Sequence, residues 1–504
     1  MLGRTSILVP FLGLLAAVLV CSASLFAQTG TVQRRFVTQS IDEHNLVRLV
    51  GNTRLEMTSA NDRGAVSDDL KLEHMYLLLN RSPEQGQAAE NASMFRGNLE
   101  HTGVYTAMGV PKFNAIKWKF QTNGRVISSP AVENGLVYVG STDQNLYAID
   151  QESGALKWKF ATDAPVTSSP AVAGGTVYFG SYDAKFYAVD AATGQLKWKF
   201  KTAGEHRFVG RHLHGLLPAA ENMADPWDYF LSSPAVWNAA VYFGSGDGNV
   251  YALESASGKL KWKFKTGEVV HSSPAISDGT LYIGSWDTYL YALDAATGKE
   301  QWRFKTGDDA DIHNHVGIQS SPAVAEGTVF FSCRDSNVYA LDAKTGKQKW
   351  FYSTKGSWVN NSPAVFDGKL YFGTSIPGLL HAVDAKTGAE VFSLDTKFPV
   401  FASLAIANGM LYFGTLDGKL TAVNLKAQKP VWVFQNDASK QNLPAIQNPD
   451  GTLNFGAIMS QNFYDDMVIA VRKLLSAGSI LSSPVVVKNV IYVGSTDGYL
   501  YALM

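Results

Sequence analysis

A unit of about 40 residues recurs along most of this chain and constrains its fold more than any other feature. One copy contains four short apolar segments, at 128–132, 136–141, 145–150 and 156–160, separated by glycine, asparagine, aspartate or serine-glycine. Each segment has the length of a strand, and four antiparallel strands form one blade of a β-propeller. A helical repeat is excluded because proline, glycine and β-branched residues interrupt every segment of about ten residues.

The two ends of the repeat array complement each other. The last unit stops after its third strand, at Met504, while Ile116–Phe120 has the sequence of a fourth strand and precedes the first unit. Pairing these two pieces would close the ring and remove two open sheet edges. The sequence therefore predicts an all-β fold, a closed propeller of four-stranded antiparallel blades whose N-terminal strand completes the last blade.

The number of blades depends on how one unit is interpreted. A marker residue at the start of the innermost strand recurs at Pro130, Pro170, Pro234, Pro274, Pro322, Pro363, Leu404, Pro444 and Pro484. These positions give nine innermost strands, but the unit at Pro444 leaves too short a connection for an outer strand. We predict eight blades, with nine as the alternative.

The turn before each outer strand carries a specific motif, which reads Ala148-x-Asp150-x-x-x-Gly154-x-x-x-Trp158 in the first unit. It resembles the tryptophan-docking motif of the PQQ-like, or quinoprotein alcohol dehydrogenase-like, propeller superfamily. The resemblance implies that the indole packs between neighbouring blades. The residues expected to do so are Trp118, Trp158, Trp198, Trp262, Trp302, Trp350 and Trp432. The segment Met94–Gly103 also resembles the stretch that leads into such propellers.

The N-terminal 92 residues differ from the repeats. Arg4, the apolar stretch Ile7–Val20 and the small residues before Gln28 predict a signal peptide over residues 1–27, with an uncleaved anchor as the alternative. Residues 28–92 are predicted to be a partly disordered leader, and 72–85 resembles the start of a kumamolisin-type protease prodomain. The propeller is assigned to residues 93–504. Lipid attachment at Cys21 is not expected, because Val20 stands where a small residue is preferred.

Charge and cysteine content limit the partners. The formal net charge is −1, so nothing favours nucleic acid. Of two cysteines only Cys333 follows the signal peptide, and it is expected to be a small buried residue. With the predicted signal peptide, we expect the protein to be periplasmic or secreted, with no transmembrane domain after signal cleavage. We also expect it to be a monomer.

The family resemblance also implies an enzyme, a dehydrogenase that uses pyrroloquinoline quinone (PQQ). In those enzymes the quinone is stacked between a tryptophan and a disulfide of adjacent cysteines, beside a calcium ion. The chain has no adjacent cysteine pair, so PQQ is not expected and no cofactor is assigned. The non-catalytic lipoprotein propeller of the outer-membrane β-barrel assembly machinery is a second resemblance. We predict a non-catalytic binding protein, with a quinoprotein of divergent cofactor pocket as the alternative.

Departures from the repeat indicate where a ligand or protein partner would bind. Residues 203–231 and 307–319 lengthen two blade-to-blade connections, which lie on the same face as the turns between second and third strands. This face is predicted to bind a protein partner or a polar, sugar-like molecule. The candidate binding residues are His206, Arg211, His271, Trp227, Asp228, Trp286, Arg334 and Asp335.

The same two insertions suggest a divalent metal. His212 with His214, and His313 with His315, have a His-x-His spacing that places both rings on one side of an extended chain. Carboxylates such as Asp225 and Asp311 are close in sequence. The competing interpretation is that these polar side chains satisfy the backbone of long loops.

Overall fold

The computed structural model describes residues 91–307 and 317–504, and all of them belong to one compact unit, Arg81–Met504. The strands form eight four-stranded antiparallel sheets, each joined in the order of its strands from innermost to outermost. The eight sheets are the blades of a propeller. The predicted fold class is confirmed.

The strand bounds follow the repeat. Before the first blade lie β1 (Val104–Tyr105) and β2 (Ile116–Gln121). Blade 1 is β3 (Ala131–Glu133), β4 (Leu136–Gly140), β5 (Asn145–Asp150) and β6 (Leu156–Ala161). Blade 2 is β7 (Ala171–Ala173), β8 (Thr176–Ser181), β9 (Lys185–Asp190) and β10 (Leu196–Lys201). A hairpin of β11 (Val209–Arg211) and β12 (Asn222–Ala224) follows, with a 3-10 helix at Leu213–Gly215.

Blade 3 is β13 (Ala235–Trp237), β14 (Ala240–Gly244), β15 (Asn249–Glu254) and β16 (Leu260–Lys265). Blade 4 is β17 (Ala275–Ser277), β18 (Thr280–Gly284), β19 (Tyr289–Asp294) and β20 (Glu300–Lys305). Blade 5 is β21 (Ala323–Ala325), β22 (Thr328–Ser332), β23 (Asn337–Asp342) and β24 (Gln348–Ser353). Blade 6 is β25 (Ala364–Phe366), β26 (Lys369–Gly373), β27 (Leu379–Asp384) and β28 (Glu390–Asp395).

Blade 7 is β29 (Ala405–Ala407), β30 (Met410–Gly414), β31 (Lys419–Asn424) and β32 (Lys429–Gln435), with β1 added in parallel beside β29. Helices α1 (Asp437–Asn442), α2 (Phe455–Ile458) and α3 (Tyr464–Ser476) follow, with a 3-10 helix at Leu443–Ala445. Blade 8 is β33 (Val485–Val487), β34 (Val490–Gly494), β35 (Tyr499–Leu503) and the N-terminal strand β2.

The structure corrects the interpretation of Pro444, and the nine-blade alternative is wrong. Pro444 lies in a 3-10 helix rather than in an innermost strand. The residues between blades 7 and 8 form helices, which we call the helical insertion (residues 437–481). Its α3 is amphipathic and buries Ala470, Val471, Leu474 and Leu475.

A closed circle of hydrogen bonds around the central axis shows the blade number directly. In each blade the backbone N–H of the second serine of the Ser-Ser-Pro motif, or its equivalent, donates to the serine hydroxyl of the next blade over 2.9–3.2 Å. We call this circle the serine ring. Its members are Ser129, Ser169, Ser233, Ser273, Ser321, Ser362, Ser403 and Ser483, the last of which donates to the first.

Blades are joined at their outer parts by the docking tryptophans. The outer strands alternate lysine with an aromatic residue, so one side of each strand meets the next blade. Each predicted indole nitrogen donates to a backbone carbonyl at 2.8–3.1 Å: Trp118 to Gln151, Trp158 to Ala191, Trp198 to Ser255, Trp262 to Ala295, Trp302 to Ala343, Trp350 to Ala385 and Trp432 to Val110. In blade 6 Phe392 takes this position.

The segment that leads into the propeller lines one end of the channel. Its backbone carbonyls accept hydrogen bonds from the innermost strands of six blades, beginning with Ala92 and ending with Gly103. Ala92, predicted to belong to the leader, thus already pairs with Val132. Arg96 is buried and donates to the carbonyls of Pro363, at 2.7 Å, and Leu404. This end of the channel is closed by main-chain pairing with six blades, to which the buried Arg96 side chain adds two hydrogen bonds.

Candidate functional site

The opposite end of the channel carries the insertions. Because strands alternate in direction, the blade-to-blade connections and the turns between second and third strands lie on one face, which we call the insertion face. Residues 203–231 (insertion A) join blades 2 and 3, and residues 307–319 (insertion B) join blades 4 and 5. The helical insertion joins blades 7 and 8 on the same face.

Insertion A meets the helical insertion. Leu217 exchanges backbone hydrogen bonds with Asn462, at 2.9 Å, and Tyr464, at 3.0 Å. The hydroxyl of Tyr464 also donates to the Ala224 carbonyl at 2.8 Å. The sequence did not predict this convergence, because it places residues about 250 positions apart in the chain side by side.

The centre of the insertion face contains two buried ionic clusters. In the first, His271 lies between two carboxylates, with Nδ1 2.7 Å from Asp228 Oδ1 and Nε2 3.0 Å from Glu205 Oε1. Asp228 also accepts from the backbone N–H of Phe208 at 2.8 Å. Burial alone would lower the pKa of His271, but the two carboxylates raise it to about 10. His271 is therefore an imidazolium at neutral pH.

In the second cluster, Asp225 is the common acceptor. Its Oδ2 lies 2.7 Å from Arg334 Nη1 and 2.9 Å from His214 Nε2, and its Oδ1 accepts from the Trp227 N–H. Burial alone would raise the pKa of Asp225, but Arg334 and His214 outweigh it and hold the pKa well below its usual range. Gln319 joins the two clusters, since its Oε1 accepts from Arg334 Nη2 at 3.0 Å and its Nε2 lies 3.5 Å from Asp228 Oδ1. The same Nε2 donates to the Trp227 carbonyl at 3.2 Å.

Aromatic rings enclose the arginine. The Arg334 guanidinium carbon lies 4.5 Å from the centroid of one Trp286 ring and 5.0 Å from that of Trp358. Trp286 also stacks on Phe208, with 4.6 Å between the ring centroids and 4° between the ring planes. Trp286 is fully buried, so neither of its faces is free for a sugar ring. Cation–π contacts of this kind stabilise a desolvated arginine.

The remaining predicted residues divide into three groups. His206 and Arg211 are exposed and lie outside both clusters. Asp335 accepts a hydrogen bond from the Tyr339 hydroxyl, as Asp143, Asp183, Asp247, Asp287 and Asp497 accept from the tyrosine four residues later in their own blades. It is a structural residue of the repeat. Trp227 packs edge-on against Phe401 beside an open pocket.

The geometry assumed for the metal pair is wrong. His212 and His214 have φ of 50° and 57°, in the left-handed region rather than in an extended chain. His212 is exposed, whereas His214 points inward to Asp225. Within residues 91–307 and 317–504, no three His, Cys, Asp or Glu side chains are grouped as metal ligands. Asp311, His313 and His315 lie outside the described residues.

Cys333 is buried, and burial raises the pKa of its thiol.

An apolar pocket of about 320 Å³ lies beside the ionic clusters, between the helical insertion and blades 5 to 7. Trp227 and Trp358 line the pocket on the side of the clusters, and Phe401 also lines it. Met459, Met467 and Leu474 contribute from the helical insertion. A second cavity of about 40 Å³ lies on the axis, bordered by the serine ring.

The fold and this axial arrangement define the class of protein as an eight-bladed propeller with PQQ-like repeats. A family model described as outer membrane protein assembly factor BamB matches residues 114–217, 221–362 and 353–472. The chain belongs to this family of PQQ-like propellers. In the described residues no helix is long and apolar enough to cross a membrane.

Individual relatives agree with this assignment. The dehydrogenase subunit of a quinone alcohol dehydrogenase from Gluconacetobacter polyoxogenes is 38% identical over 82 residues, which is 14% of this chain but only 11% of that protein. BamB from Moraxella catarrhalis superimposes with a TM-score of 0.57 at 15% identity, over 77% of this chain and 99% of that one. Quinohemoprotein alcohol dehydrogenase from Comamonas testosteroni superimposes with a TM-score of 0.60 at 14% identity, over 82% of this chain and 80% of that one. At these identities the structural likeness establishes the fold alone.

Proposed function

We propose that this protein is exported and non-catalytic, and that it binds a ligand or protein partner on the insertion face. The observation that carries the proposal is that the charged side chains of the two ionic clusters pair with one another. Every charged side chain in them is directed at another member, and the side chains of His271, Asp228, Asp225 and Arg334 are at most 1% exposed. Groups buried in this way fix insertion A against the blades, and their charges are directed at one another rather than at a substrate.

The described residues on this face also do not fit PQQ. The quinone carries three carboxylates, which require cationic or hydrogen-bond-donating partners. The axial cavity of about 40 Å³ is several times smaller than an ordinary cofactor site. In the part of the chain that the structure describes, no lysine, arginine or histidine lines the larger, apolar pocket, and Arg334 is already paired with Asp225 behind Trp358. The lone buried Cys333 cannot form the disulfide of adjacent cysteines that the family resemblance implies.

Reconstitution separates this proposal from the quinoprotein alternative. The purified protein is mixed with PQQ and Ca²⁺, passed through a desalting column and assayed for dye reduction with alcohols and sugars. We expect the quinone absorbance to separate from the protein and no dye to be reduced. Retained absorbance together with alcohol-dependent dye reduction would establish the dehydrogenase instead.

The location of binding is tested by site-specific photocross-linking in cells that make the protein naturally. A benzophenone amino acid is placed at Phe463, 45% exposed on the insertion face, and in a matched variant at Leu196, 45% exposed on the outer strand of blade 2. We expect an adduct of one defined mass at position 463 and none at 196. Adducts at 196 alone, or at neither position, would contradict the assignment to this face.

A further inference from the structure

The apolar pocket under the helical insertion has the properties of a ligand site rather than of a packing defect. Its volume of about 320 Å³ is about twice that of the cavity of about 150 Å³ that accommodates benzene in a protein core. Two residues at its border, Ile376 and Phe455, are 46% and 44% exposed, so the pocket opens to solvent.

The walls define the chemistry of the occupant. Among the described residues that line the pocket none is charged, and Ser375 provides the one side-chain hydroxyl. An ionised group placed here would lose its hydration without gaining a partner. Met459 and Met467 are unbranched and flexible, which allows the walls to adapt to rings or chains of different shape.

The pocket is also held firmly on the side of the ionic clusters. Trp358 contacts the Arg334 guanidinium and, at 4.6 Å between centroids, the His214 ring. The backbone of Trp227 is fixed by Asp225 and Gln319. The buried charges therefore position the two tryptophans that the pocket presents to a ligand.

We propose that this pocket binds a small uncharged molecule that is largely hydrocarbon, such as a two-ring aromatic or a short acyl chain. By comparison with the benzene cavity, its volume suits roughly ten to fifteen non-hydrogen atoms. The inference rests on the proposed binding role of the insertion face, but it replaces the polar, sugar-like ligand predicted from the sequence with an apolar one.

Titration calorimetry of the full-length protein with 1-naphthol tests the pocket, and 1-naphthalenesulfonate is the matched charged ligand. We expect saturable binding of one 1-naphthol per chain and at least tenfold weaker binding of the sulfonate. No heat with 1-naphthol would overturn the inference, as would equal affinity for the two ligands. That failure leaves the cross-linking result at Phe463 unaffected, so it is distinguishable from failure of the proposed function.

Two neighbouring substitutions on α3 locate the binding. Ala470→Phe fills the pocket from a lining position, whereas Ile469→Phe adds a ring at a position that is 47% exposed and does not line the pocket. We expect Ala470→Phe to weaken 1-naphthol binding at least tenfold and Ile469→Phe to leave it within twofold. Unchanged affinity in Ala470→Phe would overturn the assignment.

If Ala470→Phe does not fold, Met467→Lys tests whether 1-naphthol binds in this pocket. Met467 is half-buried at the border of the pocket, so the lysine ammonium can reach water while its charge lies beside the bound ring. We expect a loss of at least fivefold in 1-naphthol affinity with the thermal midpoint close to wild type. Wild-type affinity in a folded Met467→Lys protein would overturn the assignment.

Discussion

The contact between a docking tryptophan and the glycine of the next blade should be worth a measurable free energy of unfolding. Gly298 has φ of +74°, and a Cβ added there would lie 2.6 Å from the Trp262 ring. Gly327 has φ of +67°, but a Cβ there would meet nothing within 4 Å. Alanine at the two positions therefore imposes similar backbone strain, while only Gly298→Ala displaces an indole.

The expected magnitudes follow from these contacts. Left-handed backbone costs alanine about 1–2 kcal/mol, and the reduced freedom of the unfolded chain returns about 0.4–1 kcal/mol. We expect Gly327→Ala to lose about 1 kcal/mol, and Ala239 already occupies the equivalent turn position in blade 3 at φ of 58°. Gly298→Ala should lose about 2–3 kcal/mol more, because Trp262 gives up its hydrogen bond to Ala295 and part of its buried area.

Urea unfolding followed by circular dichroism measures both losses, with the thermal midpoint as the comparison if unfolding has more than one step. Repeating Gly298→Ala in a Trp262→Ala background removes the indole, and the additional loss should then disappear. Equal destabilisation by Gly298→Ala and Gly327→Ala would refute the docking argument, as would an additional loss that persists without Trp262.

Three further outcomes are expected. Arg334→Met should cost about 3–5 kcal/mol in urea unfolding because it removes the guanidinium partner of the buried Asp225 carboxylate and leaves only His214 beside it, whereas Arg211→Met, at an exposed position, should change stability by less than about 0.5 kcal/mol. The pKa of His271 is about 10 in the folded chain and near 6.5 when unfolded, so its stabilisation is complete below pH 6.5 and is lost as pH rises through 10. The loss is at most about 1.4 kcal/mol per pH unit, and His271→Asn should flatten this part of a stability–pH curve. Mass spectrometry of the exported protein should show cleavage after Ala27.

The repeated features could be predicted from the sequence because every blade supplies another copy of them. Six blades contain an aspartate whose carboxylate binds a tyrosine hydroxyl four residues later. The same comparison would have removed Asp335 from the candidate site, since it is one of these six. Its neighbour Arg334 occupies a position that is Thr142, Tyr182 or Trp286 in other blades, so the repeat does not require an arginine there.

The helical insertion could not be recognised by counting. It separates the marker positions at Leu404 and Pro484 by 80 residues, which equals two ordinary repeats, and Pro444 falls at the midpoint. A local signal was present, since Tyr464–Ser476 contains no glycine or proline, with Asp465 and Asp466 in its first turn and Lys473 in its last. The sequence contained no comparable signal for the contacts of Trp358 with Arg334 and His214, or of Glu205 with His271. These contacts depend on which blade-to-blade connections meet at the insertion face.

The two ends of the channel indicate why the insertion face is the place to look for specificity. At one end, the segment 91–103 pairs mainly with backbone groups that almost every blade offers, so its main-chain hydrogen bonds would survive most changes of side chain. At the other end, His271, Asp228, Asp225 and Arg334 form a set that no other blade junction in the described residues reproduces. Three of these four charged residues, His271, Asp228 and Arg334, were candidate binding residues in the sequence, yet all four pair with one another and fix insertion A against blades 3 to 5. The surface that remains available beside them is made by Trp227, Trp358 and the methionines of the helical insertion, so the polar residues act by holding an apolar site in shape.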